Sequence, residues 1–218
     1  MTKPGPTHND KPAKQDSSST AAKIRLRRWL LDRMDIEEAY VLDACAGLGQ
    51  IWEGMEEHVS LMQWTKCDIK PRRPGTLKLD ATDAIERFPL ETYNVVDIDP
   101  YGDPWEPYWA LLPRIKKPTA VFLTHSFRLN VCQISYAVAE ACGIPHDWMA
   151  DLPHDGGLMR YMGAHMLSRT VDFVDVLHSA KMGVERGARG KGSGGGLNNQ
   201  TINYYALGLA PKKEVADG

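Results

Sequence analysis

Four aspartates in the first half of this sequence each fall at the end of a predicted strand. They are Asp43, Asp68, Asp80 and Asp99. Helical patterns separate these segments, and strands that alternate with helices predict a parallel sheet covered on both faces. In such a sheet, ligands bind beyond the carboxyl ends of the strands. The four aspartates are therefore expected to line one edge of a sheet, beside a bound ligand.

The same pattern sets the fold class and the domain limits. Strands are predicted at 39–44, 61–68, 76–79, 93–98 and 120–124, with a closing hairpin at 171–179 and 201–209. The hairpin adds one antiparallel strand, so the predicted fold is α/β with a mostly parallel, Rossmann-like sheet. The sequence predicts a single domain over 19–210. The polar segments 1–18 and 211–218 are predicted to be disordered tails.

Composition excludes several classes of protein. No apolar run approaches the roughly 18 residues that a membrane span needs, and the amino terminus lacks the apolar core of a secretory signal. The four cysteines show no CxxC spacing and are predicted to be buried thiols of a cytoplasmic protein. A formal net charge of -2 argues against a protein coated in positive charge. The basic groups near 23–28, 70–73 and 186–191 are most simply interpreted as solvated surface, although a local basic face remains possible.

A loop of small residues follows the first strand, with the sequence Ala-Cys-Ala-Gly-Leu-Gly after Asp43. Small residues let the backbone approach a ligand closely and adopt positive φ. The loop is not the GxGxxG phosphate loop, and it suits an adenosine that carries an amino-acid tail instead of phosphates. Asp68 at the next strand end can accept hydrogen bonds from ribose hydroxyls, and Asp80 or Asp83 from the adenine amino group. The alternative is a plain strand-to-helix turn in which the acids cap helices.

A second loop brings Asp99, Pro100 and Tyr101 together at the end of the fourth strand. An exocyclic amine on a nucleobase is a poor nucleophile because its lone pair is delocalised into the ring. Asp99 and the carbonyl of Pro100 can accept hydrogen bonds from its protons, and proline fixes φ and so aims that carbonyl. Tyr101 can stack on the base. The three residues are therefore the candidate catalytic group, and the alternative is a turn with no chemical role.

Taken together, the two loops resemble class I S-adenosylmethionine-dependent methyltransferases, over roughly residues 20–210. The resemblance implies that Asp43 and Gly47 hold the methionine part of S-adenosyl-L-methionine, Asp68 the ribose and Asp80 the base. The full set of candidate cofactor-binding residues is Asp43, Ala44, Gly47, Gly49, Asp68, Ile69, Asp80 and Ala81.

The second loop also resembles the Asp-Pro-Pro-aromatic motif of amino-methyltransferases that act on DNA and RNA. It is closer to the Asp-Pro-aromatic-Gly-x-Pro stretch of tRNA guanine-N2 dimethyltransferases, which Asp99, Pro100, Tyr101, Gly102 and Pro104 match. Asp103 stands where those enzymes more usually have a small hydroxyl residue.

The sequence therefore predicts an N-methyltransferase that acts on an exocyclic amine of a nucleobase, with DNA or RNA as its partner. The flexible Arg/Lys/Gly segment near 186–196 is a candidate clamp on the phosphate backbone. Two alternatives stay open: methylation of a small molecule or a protein amide nitrogen, and a non-catalytic cofactor-binding subunit. No metal is expected, because His146, His154 and Asp155 match no metal signature. His125 is expected to be structural. The sequence specifies neither the base nor the oligomeric state.

Overall fold

The computed structural model describes residues 17–100, 103–126, 163–186 and 200–213. Several sequence predictions lie outside these ranges: Tyr101, the two tails apart from their inner residues, the helix at 129–142, most of the basic segment at 186–196, and His146, His154 and Asp155. They stay predictions.

The described chain alternates strands with helices. The strands are β1 (Glu38–Asp43), β2 (Ser60–Asp68), β3 (Thr76–Lys78), β4 (Val95–Ile98), β5 (Thr119–Ser126), β6 (Val174–Arg186) and β7 (Gln200–Pro211). The α-helices are α1 (Ser17–Arg33), α2 (Gln50–Glu53), α3 (Ala81–Arg87) and α4 (Trp105–Leu111), and residues 163–168 are also helical. Short 3-10 turns cover Leu90–Thr92, Leu112–Arg114 and Arg169–Asp172. No helix in these ranges is both long enough and apolar enough to cross a bilayer.

All seven described strands form one sheet in the order β3-β2-β1-β4-β5-β7-β6. The pairs β2–β3, β1–β2, β1–β4 and β4–β5 are parallel, and β7 runs antiparallel to both β5 and β6. The predicted fold class, an α/β sheet with one antiparallel strand from the final hairpin, is confirmed. The strand order reverses between β1 and β4, and such a switch point is where ligands bind in open sheets.

Alternation of side chains along the strands gives the sheet two apolar faces. On one face, Val41, Val95 and Phe122 pack against α1 and α2. On the other, Leu42 and Val96 pack with α3, α4 and the helical residues 163–168. Successive side chains of a strand point to opposite faces, so Asp43 and Asp97, two residues after Val41 and Val95, lie on the α1 face.

Several predicted elements have different limits in the structure; the first strand of the hairpin, predicted to end at 179, continues to Arg186. The helix after the glycine loop was expected over 50–58 but ends at Glu53, where Gly54 follows and favours the unfolded chain over the helix. The strand expected from residue 171 begins at Val174, because Arg169–Asp172 forms a 3-10 turn. These differences leave the strand ends of the candidate site unchanged.

Candidate functional site

The carboxyl ends of β1 and β4 meet at the switch point of the sheet. Asp43 and Asp97 are partners in the parallel register of these strands, and the amide of Ala44 donates to the carbonyl of Asp97 at 2.9 Å. The glycine loop therefore starts beside the strand that leads to Asp99 and Pro100. The burial of the Cys45 thiol raises its pKa well above its usual range, and Asp99 raises it further through its charge. The first loop is thus within electrostatic reach of the second.

The glycine loop is held by backbone hydrogen bonds on both sides. The amide of Ala46 donates to the carbonyl of Cys67 on β2 at 2.8 Å, and the amide of Gly49 donates to the carbonyl of Ala46 at 2.7 Å. Gly47 and Gly49 both have positive φ, at 53° and 73°. A Cβ on Gly49 would lie 2.9 Å from the indole of Trp64, whereas a Cβ on Gly47 would meet none of the described residues within 4 Å. Gly49 is therefore required by packing, and Gly47 has an open side with respect to the described residues.

Asp68 ties the end of β2 to this loop. One carboxylate oxygen accepts a hydrogen bond from the amide of Gly47 at 2.9 Å, and the other accepts one from the amide of Lys70 at 2.7 Å. Each oxygen keeps a further lone pair for a ligand hydroxyl. Ile69 is 63% exposed and Ala44 is buried, so of these two candidate residues Ile69 alone presents its side chain to solvent.

Asp80 caps a helix. Its Oδ1 accepts a hydrogen bond from the amide of Asp83 at 2.8 Å, which places Asp80 at the N-cap of α3 directly before Ala81. The capping role that the sequence left open for this acid is therefore present. Its second oxygen is not used in that bond and can still accept from a ligand.

Asp43 is buried, and none of the described residues bonds a cation to it. It is 4% exposed, and the indole Nε1 of Trp64 donates to its Oδ2 at 3.3 Å. Burial raises the pKa of Asp43 well above its usual range, and the nearby carboxylate of Asp97 raises it further, while the charge of Arg27 works against both. The folded protein therefore holds an ionised Asp43 only at a cost.

Asp97 differs because α1 supplies it with a cation. The guanidinium of Arg27 donates to both carboxylate oxygens, at 2.7 Å to Oδ1 and at 2.6 and 2.9 Å to Oδ2. The indole of Trp52 adds a bond of 2.8 Å. Burial raises the pKa of Asp97, and the charge and hydrogen bonds of Arg27 lower it. Arg27 and Asp97 are each 2% exposed, so this is a buried, bidentate ion pair.

Asp99 lies one residue past β4 and forms an ion pair through its Oδ2 with Nζ of Lys23 on α1. The Asp99 side chain is 20% exposed, and Pro100 is half-buried. Farther along the loop, burial raises the pKa of Asp103 to about 6, and the amide of Trp105 donates to its carboxylate at 3.4 Å. Asp99 and Pro100 therefore lie at the predicted edge, beside the glycine loop.

His125 belongs to the core. It is fully buried, its ring packs at 5.1 Å from the ring of Trp105, and burial lowers its pKa to about 4. A neutral, buried imidazole agrees with the structural role expected from the sequence.

Sequence reasoning missed the contribution of α1. Lys23 and Arg27 were grouped with Arg25 and Arg28 as solvated surface, but the first two point inward to Asp99 and Asp97. Their four-residue spacing places them on one helix face, which is the signal that was available.

A cavity of about 470 Å³ lies at the opposite ends of the strands, away from the candidate site. Its lining includes Asp32, Glu37, Glu56, Glu57 and His58, beside the amino ends of β1 and β2. None of the candidate site residues lines it.

Comparison with known proteins finds similarity in structure only. No protein-family profile matches the sequence, and no curated protein matches it. Among solved structures, Trm1 from Pyrococcus horikoshii in complex with S-adenosyl-L-methionine is similar with a TM-score of 0.52 and 13% identity. The alignment covers 94% of this chain and 58% of that one, so this chain spans little more than half the length of Trm1.

Two further structures extend the comparison. A protein from Streptococcus thermophilus named as a hemolysin has a TM-score of 0.50 and 10% identity, over 96% of this chain and 73% of that one. The plantazolicin methyltransferase BamL, in complex with a triazolic desmethyl analog and SAH, has a TM-score of 0.49 and 10% identity, over 88% and 86% of the two chains. At such identities the likeness establishes the fold alone. This chain has the Rossmann-like fold of the Trm1 structure.

Proposed function

We propose that this protein is an S-adenosyl-L-methionine-dependent methyltransferase that acts on an exocyclic amine of a nucleobase in DNA or RNA. The observation that carries the proposal is Asp43, a buried carboxylate at the strand end that leads into the glycine loop, to which no residue of the described ranges bonds a cation. An ionised carboxylate without a partner is costly to bury. S-adenosylmethionine carries a sulfonium and an ammonium group, and either charge would offset that cost.

The residues at the switch point fit this cofactor. Asp43 and the open face of Gly47 would hold its methionine part, with Ala44 and Gly49 shaping the loop. Asp68, at the next strand end, would accept hydrogen bonds from the ribose with the lone pairs that the backbone amides leave.

The adenine would lie at the end of β3. Asp80 has an oxygen left after it caps α3, and Ala81 and Ile69 would contact the base.

When bound, S-adenosylmethionine supplies an electrophilic methyl group. Asp99 and the carbonyl of Pro100 would accept hydrogen bonds from the amine protons, which favours a pyramidal nitrogen with a localised lone pair. Tyr101 would stack on the base, a contact worth about 1–3 kcal/mol. Positioning of this kind contributes a large part of the rate of a transfer reaction.

The balance of charges at the site supports both the cofactor and the reaction in this proposal. Asp43, Asp97 and Asp99 supply three carboxylates, against the two cations Lys23 and Arg27, which leaves one net negative charge when all are ionised. A net negative site favours a cationic cofactor, and it stabilises the positive charge that develops on a nitrogen as it is methylated. The similarity to Trm1, crystallised with S-adenosyl-L-methionine, supports the same cofactor.

The test is incubation with tritiated S-adenosylmethionine and separate pools of DNA, tRNA, protein and small metabolites, followed by nucleoside mass spectrometry of any labelled nucleic acid. Label in a methylated base supports the proposal, whereas label in protein or metabolites alone favours the small-molecule or amide alternative. No label in any pool, with cofactor binding intact, favours the non-catalytic subunit.

Two variants assign the roles. Asp99→Ala is expected to lower methyl transfer at least about 100-fold while the cofactor Kd stays nearly unchanged. Asp68→Ala is expected to weaken cofactor binding by calorimetry. Asp172→Ala is the matched control, since that exposed carboxylate pairs with Arg169 away from the switch point. Equal loss of transfer and cofactor binding in Asp99→Ala would contradict its assignment to the acceptor.

The basic segment can be tested in the same way. Deletion of residues 186–196 is expected to weaken binding to oligonucleotides, and to leave the cofactor Kd unchanged. Oligonucleotide binding that survives the deletion would show that this segment is not the clamp.

A further inference from the structure

Two successive ion pairs, Arg27–Asp97 and Lys23–Asp99, join α1 to the end of β4. Lys23 and Arg27 are four residues apart on one face of the helix, a rise of about 6 Å. Asp97 and Asp99 are two residues apart on one side of the extended chain, a rise of about 6.6 Å. Because these two steps match, Arg27 can bind Asp97 while Lys23 binds Asp99, and both pairs are present.

The Arg27–Asp97 pair is closed to solvent, whereas the Lys23–Asp99 pair is partly exposed. Arg27 contacts both oxygens of Asp97, and neither residue is more than 2% exposed. Lys23 contacts only Oδ2 of Asp99, and the two side chains are 13% and 20% exposed. Within the described part of the chain, no hydrogen bond reaches Oδ1 of Asp99.

Lys23 is itself held in place. Its Nζ lies 5.3 Å from the centroid of the Tyr204 ring on β7, a cation–π contact, and the backbone carbonyl of Lys23 accepts a hydrogen bond from Arg27 at 3.1 Å. A lysine ammonium normally moves freely on its four-carbon stem. Here the contact with the Tyr204 ring holds the ammonium group in the position from which it binds Oδ2 of Asp99.

We propose that Lys23 is a positioning residue, which holds Oδ2 of Asp99 so that Oδ1 is presented to the amine of the acceptor. The proposal rests on the proposed function, since it takes Asp99 as the residue that binds the acceptor. It makes α1 part of the active site and gives its inward-facing cations two different roles. Arg27 stabilises the fold through Asp97, and Lys23 orients the carboxylate that touches the substrate.

The charge of Lys23 also has an effect that opposes catalysis, and experiment can distinguish this effect from orientation of Asp99. A positive charge near the reacting nitrogen opposes the positive charge that develops there. If that repulsion outweighed orientation, removal of Lys23 would raise kcat. Orientation predicts a fall, because a misplacement on the order of 1 Å can cost about 100-fold in rate.

The experiment compares Lys23→Met, which keeps the length of the side chain without its charge, with Lys23→Arg, which keeps a charged donor. Arg25→Met is the matched control, because Arg25 is exposed on the same helix. For each protein, kcat and KM are measured on the pool that the wild type methylates, together with the cofactor Kd and the thermal midpoint. We expect Lys23→Met to lower kcat about 10- to 100-fold with the cofactor Kd within about twofold, and Lys23→Arg to recover about tenfold.

A Lys23→Met variant whose kcat is unchanged or raised would overturn the positioning role. So would a loss of kcat that Lys23→Arg does not recover, or one that follows the cofactor Kd. A wild-type protein that methylates no pool would overturn the proposed function, and the positioning role with it. An active wild type beside a fully active Lys23→Met would overturn the positioning role alone.

Discussion

Asp43 and Asp97 are register partners on neighbouring strands, yet their surroundings differ in one respect. Both are buried, and each accepts a hydrogen bond from an indole, of Trp64 and Trp52 respectively. Asp97 also binds the guanidinium of Arg27, whereas no described residue bonds a cation to Asp43. Within the described part of the chain, the fold therefore pairs one of the two buried carboxylates with a cation and gives the other only a neutral hydrogen-bond donor.

The difference separates a structural charge from a functional one. A bidentate, buried ion pair fixes α1 against β4, and its energy is used within the folded protein. A buried carboxylate without a bonded cation destabilises the fold unless it takes up a proton or a cation binds beside it. We infer that Asp97 maintains the architecture of the switch point and that Asp43 selects the ligand.

The largest expected effect follows from removing the compensating cation. Arg27→Ala leaves Asp97 as an unpaired buried charge, and breaking such a pair costs about 3–5 kcal/mol. A typical domain is stable by only about 5–15 kcal/mol, so a marked loss of the unfolding free energy is expected in urea denaturation. The exposed Arg28 on the same helix provides the control, and Arg28→Ala should change stability by less than about 0.5 kcal/mol.

A double variant checks that charge, and not helix packing, causes this loss. Arg27→Met combined with Asp97→Leu removes both charges and keeps apolar volume, which is often neutral for buried pairs. Recovery of part of the lost stability is expected, because Asp97→Leu also removes the acceptor of the buried Trp52 indole, at a cost of about 1–3 kcal/mol. If the double variant were as unstable as Arg27→Ala, the packing of α1 would explain the effect and the contrast with Asp43 would fail.

The next largest expected effect is on the affinity for S-adenosylmethionine, and it concerns Asp43. Asp43→Asn removes the charge in nearly the same shape, and it is expected to weaken S-adenosylmethionine binding by about tenfold or more, since hydrogen bonds to charged groups contribute roughly 1.5–3 kcal/mol. The affinity of the wild type should fall as the pH is lowered through the raised pKa of Asp43, because the cation competes with a proton. Burial raises the pKa of Asp43 most; among its neighbours, Asp97 and Asp99 raise this pKa, and Trp64 and Arg27 lower it. Calorimetry between about pH 5 and about pH 8 tests both statements, and the variant should lose the pH dependence.

The same substitution should raise stability. A carboxyl whose pKa is raised in the folded state binds its proton more readily there than in the unfolded chain. Stability from this group is therefore full below the unfolded pKa and is lost as the pH rises through the folded pKa. At any pH above the unfolded pKa, this raised pKa of Asp43 costs stability, so Asp43→Asn is expected to have a higher thermal midpoint without ligand. A lower midpoint would mean that Asp43 is compensated in the fold like Asp97.

Different parts of this picture were accessible from the sequence to different degrees. The sheet could be predicted from short-range patterns, because strands that end in aspartate alternate with helices. The glycine loop and the Asp99-Pro100 segment also lie where they were expected. The two ion pairs between α1 and the end of β4 could not be predicted from the sequence. Lys23 and Arg27 have the composition of a surface cluster, and their partners lie 76 and 70 positions away. Four-residue spacing identifies a helix face but not what covers it. The end of α2 at Glu53 was missed as well, since apolar periodicity continues past Gly54.

The smallest expected effect compares two open glycines, one inside and one outside the proposed cofactor site. Gly47 and Gly75 both have positive φ, at 53° and 76°, and a Cβ on either would meet none of the described residues within 4 Å. Alanine at either position should therefore cost about 1–2 kcal/mol of stability from backbone strain alone. Only Gly47 lies beside Asp43 in the proposed cofactor site, so Gly47→Ala should also weaken S-adenosylmethionine binding, while Gly75→Ala should leave the Kd unchanged. Equal cofactor affinities in the two variants would mean that the open side of Gly47 is not where the ligand of Asp43 binds, and the uncompensated carboxylate would need another partner.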